Sequence, residues 1–295
     1  MMLLKKLTFV LLITLAYTGI AQNNVDYSLY NYSLNLINPA FAGQKNNSEL
    51  LISSRKQWSG IPDAPKTSTF SLNIPLKGAV GLGLSVVNDK IFVFNQTVVA
   101  LDFSYKLKMS RDHDLLFGIK AKGNMYSGSI DKIRTAQSND ALFSVPINKF
   151  NPNFSIGAAI VHEDYYTHLY IDNLLTDNRY ELKRKSKNKN HYNVNLGGGY
   201  TFELNETLKL TPSVLARFIE GAPLSFDVNT VLNIKELYNV GMSYSWNNAV
   251  QLNSLISATK WFDIGYGYNL YLNDLSTYQN GTHEILLRFN VDEIL

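Results

Sequence analysis

From about residue 48 onward, roughly fourteen stretches of this chain place an apolar residue at every second position. Leu82, Leu84 and Val86 alternate with Gly81, Gly83 and Ser85. Leu101, Phe103 and Tyr105 alternate with Asp102, Ser104 and Lys106. Val194, Leu196, Tyr200 and Phe202 alternate with Asn193, Asn195, Gly197, Gly199 and Thr201. A period of two belongs to an extended strand, whose side chains point to its two faces in turn. The composition of the second face narrows the fold. A soluble sandwich would bury the greasy face and show water a face rich in Lys and Glu. Here the second face is mostly Gly, Ser, Thr and Asn, which suits a polar lumen. Alternating segments of about ten residues, repeated along a chain, are the signature of a barrel with lipid outside and water inside. The expected fold is all-β: a transmembrane antiparallel up-and-down β-barrel of about 14 strands with a short N-terminal extension.

The N-terminus reads as an export signal. Lys5 and Lys6 form a charged start, Leu7 to Ala16 a short apolar core, and Gly19 and Ala21 small residues before a cleavage point at Gln22. An uncleaved anchor is the alternative, but the core is shorter than the about 20 apolar residues a spanning helix needs. The expected division is signal peptide 1–21, a periplasmic N-terminal segment or plug 22–46, and barrel 47–295. No later stretch is apolar enough for a membrane helix. The chain has no cysteine, which excludes disulfides, thiol catalysis and thiolate metal sites. A hydrophobic content of 45% with mean hydropathy of -0.10 is too wet for a helical membrane protein and ordinary for a barrel. The 18 tyrosines fit interfacial girdles. The net charge of +3 falls to about +1 without Lys5 and Lys6, so charge names no partner.

Strands are expected at roughly 48–57, 67–76, 79–88, 96–106, 114–126, 152–161, 165–173, 191–203, 207–218, 224–235, 238–247, 249–259, 261–271 and 282–291. Their connections alternate in length. Lys77-Gly78, Leu107 to His113, His162 to Asp164, Leu204 to Glu206, Glu236-Leu237 and Lys260 are mostly short. Trp58 to Lys66, Asp89 to Asn95, Ser127 to Asn151, Leu174 to Asn190, Ile219 to Pro223 and Leu272 to Gly281 are mostly long, with a tight Asn247-Asn248 as the exception. Barrels put long loops outside the cell and short turns in the periplasm. An even strand number would leave both termini periplasmic. Girdle aromatics are expected at Trp58, Tyr126, Trp246 and Tyr271 on the outer rim, and at Tyr105, Phe202, Tyr238 and Phe262 on the inner rim.

Little in the chain points to catalysis. The inward positions carry Asp102, Lys120, Lys122, Arg217, Asp227, Asp263, Glu284 and Arg288, a mixture of signs that can pair within the bore. The five histidines, His113, His162, His168, His191 and His283, are scattered without metal-ligand spacing. His283 and Glu284 are adjacent, so in a strand they face opposite ways and cannot share a site. No catalytic residue, metal ligand or cofactor is expected, and no phosphate loop, nucleotide fingerprint or nucleic-acid motif is present. The loop containing Lys183, Arg184 and Lys185 is strongly basic and suits an acidic partner or anionic lipopolysaccharide, or is simply a solvated hairpin tip. The loop Ser127 to Asn151 carries Ile130, Ile133, Leu142, Phe143, Val145 and Ile147, greasy enough for a lid or a partner contact.

Three stretches resemble the PorP/SprF family of type IX secretion system membrane proteins. They are Leu36-Ile37-Asn38-Pro39-Ala40-Phe41-Ala42-Gly43, then Arg55-Lys56-Gln57-Trp58-Ser59-Gly60 followed by Ala64-Pro65-Lys66-Thr67, then Gly81 to Lys90. Gly281-Thr282-His283-Glu284-Ile285 is similar to the family's final strand. The ending Phe289-Asn290-Val291-Asp292-Glu293-Ile294-Leu295 departs from the terminal aromatic of many such barrels. The resemblance implies an outer-membrane barrel of a Bacteroidetes-type bacterium that serves type IX secretion and, in some members, gliding motility. Its implied partners are secretion machinery subunits, a cargo protein with a C-terminal sorting domain, and outer-membrane lipid. It implies no catalytic set. Arg55, Trp58, Gly60 and Pro65 are the partner-binding candidates on the matched loop, with Lys183, Arg184 and Lys185 added from the basic loop. The expected function is secretion or surface anchoring of adhesin-like cargo by protein binding. The rivals are a plugged channel for a small solute and an outer-membrane hydrolase.

Overall fold

A computed structural model describes residues 29–129, 147–175, 192–220, 222–246, 248–272 and 274–294. Its strand segments are β1 Glu49–Lys56, β2 Lys66–Pro75, β3 Val80–Ile91, β4 Phe94–Lys108 and β5 Asp114–Gly128. They continue with β6 Ile147–Val161, β7 Tyr165–Asp172, β8 Asn193–Tyr200, β9 Phe202–Asn205 and β10 Leu208–Ile219. The last are β11 Ser225–Ile234, β12 Tyr238–Ser245, β13 Ala249–Ser257, β14 Phe262–Tyr271 and β15 Thr282–Asn290. β8 and β9 both pair with β10 and are parted only by Thr201, so they form one stave. Neighbouring strands pair antiparallel all the way round, and β15 returns to β1 with Glu49 opposite Asn290 and Lys56 opposite His283. The result is a closed antiparallel barrel of fourteen strands. Among the described residues no helix is long and apolar enough to cross a membrane.

Every strand expected from alternation is present, with three differences of extent. The connection expected at Asp89 to Asn95 is a two-residue turn, Phe92-Val93, because the ladder continues through Asn88–Thr97, Asp89–Gln96 and Lys90–Asn95. Asn88 Nδ2 donates to Asn95 Oδ1 at 2.9 Å and to Thr97 Oγ1 at 2.8 Å, so polar side chains carry the hairpin onward where alternation of apolar residues stops. Phe92 takes φ 54 to close it. β6 begins at Ile147 rather than near 152 and pairs up to Gly128 of β5. The expected strand 191–203 breaks at Thr201. The apolar loop stretch at 130–146 and the N-terminal residues before 29 lie outside the described residues.

Burial is inverted relative to a soluble protein. Leu101, Ile119 and Leu252 are 61%, 54% and 55% exposed, while Ser71, Ser104 and Ser155 are fully buried. Apolar surface on this scale would drive aggregation in water. Against hydrocarbon it is at no disadvantage, and closure gives every strand of the described barrel a neighbour on each side. Tyr105, Phe202 and Tyr238 stand on this outer face near the short turns, and Trp246 is exposed at the loop end. Two expected girdle residues do not. Tyr271 is buried, and Tyr126 shares the inward parity of Asn124, so both point into the bore.

The bore is occupied by the chain's own N-terminal segment. Residues 29–47 make three short 3-10 turns, Tyr30–Tyr32, Leu34–Leu36 and Pro39–Phe41. The segment lacks alternation, and Asn38-Pro39 starts a turn: Asn38 Oδ1 accepts from Ala40 N at 2.9 Å. Its packing depends on missing side chains in the wall. A Cβ on Gly118 would overlap the backbone of Pro39 and Ala40, one on Gly157 would overlap the Asn38 amide, and one on Gly81 the Ala42 carbonyl. Gly43, at φ 58 against Ile74 O, turns the segment out of the bore. These wall glycines lie within four residues of the short-turn ends of their strands, so the segment fills that half of the bore. Gly118→Val should overpack this contact by about 1–3 kcal/mol. Proteolysis between residues 29 and 47 of the folded barrel should then speed up about tenfold; unchanged protection would show that the contact does not hold the segment.

Candidate functional site: the bore and its loop-end rim

Strand parity fixes which charges meet inside. All eight inward charges anticipated from the sequence find an opposite charge, most across one ladder rung. Asp102 pairs with Lys120 at 3.5 Å, and Arg288 with Asp263 at 2.6 Å. Glu284 pairs with Arg55 at 3.7 Å, with both side chains under 5% exposed. Arg217 pairs with Asp227 at 2.5 Å, and Lys122 with Asp172 at 2.5 Å. Asp172 also accepts from the hydroxyls of Tyr170 and Ser155. In a bore shielded from bulk water, such pairing is what makes buried charge tolerable.

The same wall groups hold the N-terminal segment. Lys120 Nζ donates to the carbonyls of Asn35 and Leu36 at 3.4 and 3.3 Å. Asn35 Nδ2 donates to Ser71 Oγ at 2.9 Å, and Tyr32 Oη to Asn253 Oδ1 at 2.8 Å. Asn38 Nδ2 reaches the carbonyls of Leu169 and Ala158, and Ser104 Oγ donates to Ala42 O at 2.6 Å. Two apolar patches complete the seat: Leu29 with Leu51, Leu255 and Leu286, and Ala40 with Leu116 and Ala159. On the loop side of the segment a cavity of about 160 Å³ remains, floored by Tyr30 and Ile37 and walled by Lys122, Asp172, Asn195 and Arg217.

The candidates taken from the sequence divide by depth. Arg55 is 2% exposed and serves the bore, where its guanidinium lies beside the Gln57 side-chain amide. Lys56, its neighbour, faces outward, as alternation requires. Trp58 is half-buried at the rim with φ 48, and its backbone N–H donates to Thr282 Oγ1 at 3.3 Å. Gly60 is exposed at φ 96, a backbone that glycine adopts without strain. Pro65 is buried where its carbonyl accepts from Gln57 N at 2.9 Å. Lys183, Arg184 and Lys185 lie outside the described residues. The matched loop is braced by its neighbours. Ser59 N donates to Gly281 O and Asn280 N to Ser59 O, each at 2.8 Å, and Phe92 N donates to Asp63 O at 3.3 Å. Three connections thus form one rim, on which Tyr278 is 77% exposed and Phe92 50%.

His283 and Glu284 separate as expected: His283 Nδ1 meets Tyr266 Oη at 2.7 Å on the outer face, while Glu284 faces Arg55. Among the described residues no group of His, Cys, Asp or Glu could hold a metal ion. The anchors Tyr32, Asn35 and Asn38 escaped the sequence reading. Small wall residues were the available signal, since Gly81 and Gly83 already mark a place for close backbone approach. Arg55→Ala should leave the buried Glu284 carboxylate without its cation and destabilise the barrel by about 3–5 kcal/mol. Arg55→Met with Glu284→Leu should recover most of that loss. Urea unfolding of detergent-folded protein measures both, and a single variant as stable as the parent would refute a structural role for the pair.

The model of the family described as type IX secretion system membrane protein PorP/SprF matches residues 19–289. Among solved structures, the chain is similar to the CymD monoaromatic hydrocarbon channel, at 8% identity over 89% of this chain and 92% of that one, with a TM-score of 0.51. A Pseudomonas aeruginosa FadL homologue is similar at 9% identity over 86% of this chain and 92% of that one, with a TM-score of 0.49. At such identities the likeness concerns the barrel fold alone. No curated protein matches the chain. A family match over nearly its whole length, on a closed barrel with an apolar outer face, places this chain in the PorP/SprF family of type IX secretion system membrane proteins.

Proposed function

We propose that this barrel acts in type IX secretion by binding: it holds a secreted cargo protein at its loop-end rim and docks on the machinery that delivers it. The observation that carries this reading is the seating of residues 29–47 in the bore by wall glycines and hydrogen bonds from several strands. A bore filled by its own chain is a poor conduit for a polypeptide and a rigid stand for a binding surface. The rim has the traits of such a surface. Its loops are tied to one another through backbone hydrogen bonds, and it exposes aromatic side chains, which interfaces favour. The orientation that goes with this reading puts the long loops outside the cell and both termini in the periplasm, in the outer membrane. The cargo would present its C-terminal sorting domain, and the basic loop with Lys183, Arg184 and Lys185 would add positive charge to the surface that receives it.

A second reading has one observation in its favour. The polar cavity of about 160 Å³ above the segment would accept a small solute, and a channel shares this fold. Deleting the gene separates the two. Release of one surface protein into the medium is expected for a holder, and loss of growth on one solute for a channel. Trp58→Ala and Tyr278→Ala should each lower surface retention of cargo severalfold while barrel abundance stays level, measured by immunoblot of cell and medium fractions. Normal retention in both variants would remove the rim from the mechanism.

A further inference from the structure

Three lysines stand abreast on the outer face of the barrel. The register sets Lys56 of β1 opposite Lys66 of β2, and Lys66 opposite Lys90 of β3. All three are exposed. Their sequence neighbours Arg55, Thr67 and Asp89 turn to the bore, where Arg55 meets Glu284 and Thr67 Oγ1 donates to Asp89 Oδ1 at 2.7 Å. No ion pair or side-chain hydrogen bond to another described residue engages Lys56, Lys66 or Lys90. The row continues in both directions without an acid, to His283 of β15 beside Lys56 and Asn95 of β4 beside Lys90. Adjacent strands lie about 4.8 Å apart, and like charges directly opposite one another oppose sheet pairing. Three cations at that spacing, with no acid paired to them among the described residues, suit an anion from outside the chain.

The rows beneath indicate what kind of anion. The same registers align Leu50, Leu72 and Leu84, then Ile52, Phe70 and Val86, then Ser54, Ser68 and Asn88, then the lysines. The outer face therefore passes from apolar to hydroxyl and amide to cationic within six residues of each strand. At about 3.3 Å per residue along strands tilted by roughly 40°, that is about 15 Å of depth. A membrane leaflet offers its groups in the same order: acyl chains, then polar linkages, then phosphates. Single interfacial lysines are commonplace, because their long stems reach the interface. Three in register on consecutive strands, over a row of hydrogen-bonding side chains, form a multidentate cradle for closely spaced phosphates.

We propose that the outer face of β1 to β3 at the loop end binds the phosphorylated headgroup of a lipopolysaccharide molecule. Which leaflet the lysines meet rests on the orientation given above, with the loops outside. The site lies on the lipid face and is separate from the rim proposed to hold cargo. The test is native mass spectrometry of the full-length barrel, delipidated in detergent and titrated with lipopolysaccharide, with its dephosphorylated form, or with phosphatidylglycerol. The parent protein should retain lipopolysaccharide at least tenfold better than either alternative lipid. The triple variant Lys56→Gln/Lys66→Gln/Lys90→Gln should lose that preference. A control at the short-turn end, Lys77→Gln/Lys108→Gln, should keep it. Equal retention of phosphorylated and dephosphorylated lipid by the parent would overturn the proposal without recourse to any variant, as would full retention by a folded triple variant. Stronger retention of phosphatidylglycerol would overturn it too, by pointing to a general anionic interface. Cargo retention, read separately in cells, tells failure of this site from failure of the holding function.

Discussion

Hydrocarbon offers no hydrogen bonds, and that single fact governs this molecule. Each backbone amide within the bilayer must find its partner inside the chain. Fourteen strands do this by closing on themselves, with β15 returning to β1 over eight residue pairs from Glu49–Asn290 to Lys56–His283. Closure then dictates the side chains. One face of every strand meets lipid, and Leu101, Phe103 and Ile119 lie there at about half exposure or more. The other face is left with the polar residues and must satisfy them in a confined bore.

The bore meets that demand in two ways. Charges are matched along the ladder, as with Asp102 and Lys120 or Asp263 and Arg288, so that no pairing needs a long reach across the lumen. Several of the remaining donors and acceptors, among them Ser71, Ser104 and Asn253, are turned on the N-terminal segment. Lys120 illustrates the economy, since one ammonium answers Asp102 in the wall and two carbonyls of the segment. The segment is thus continuous with the barrel's own polar network rather than a loose insert. On the function proposed above, a barrel so filled would serve as a stand for its rim.

Much of this was legible in the sequence, because alternation is a direct imprint of the pleat. The strands, their order, the parity of loops and turns, and the inward set of charges all follow from which residues are odd and which are even. The errors fell where that imprint fades. At Asn88 to Asn95 the outward residues become polar, so the alternation ends while the ladder does not. Tyr126 and Tyr271 look like girdle residues by type, yet their parity sends them inward. The stretch 29–47 has no period to read, and its place in the bore depends on gaps left by Gly81, Gly118 and Gly157 in strands far along the chain. Arg55, named from the family resemblance, lies buried against Glu284, a place in the bore that no motif spells out.

The account stands on lipid outside and polar groups within. Because the chain has no cysteine, single spin labels can be placed cleanly on the barrel in liposomes at positions 101, 103, 117 and 119 and at positions 96, 124 and 195. The first set should collide readily with oxygen, which concentrates in the bilayer, and poorly with a water-soluble nickel complex. The second set, which lines the cavity on the loop side, should show the reverse. Equal accessibility of both sets to the nickel complex would contradict the inside-out arrangement on which everything else rests.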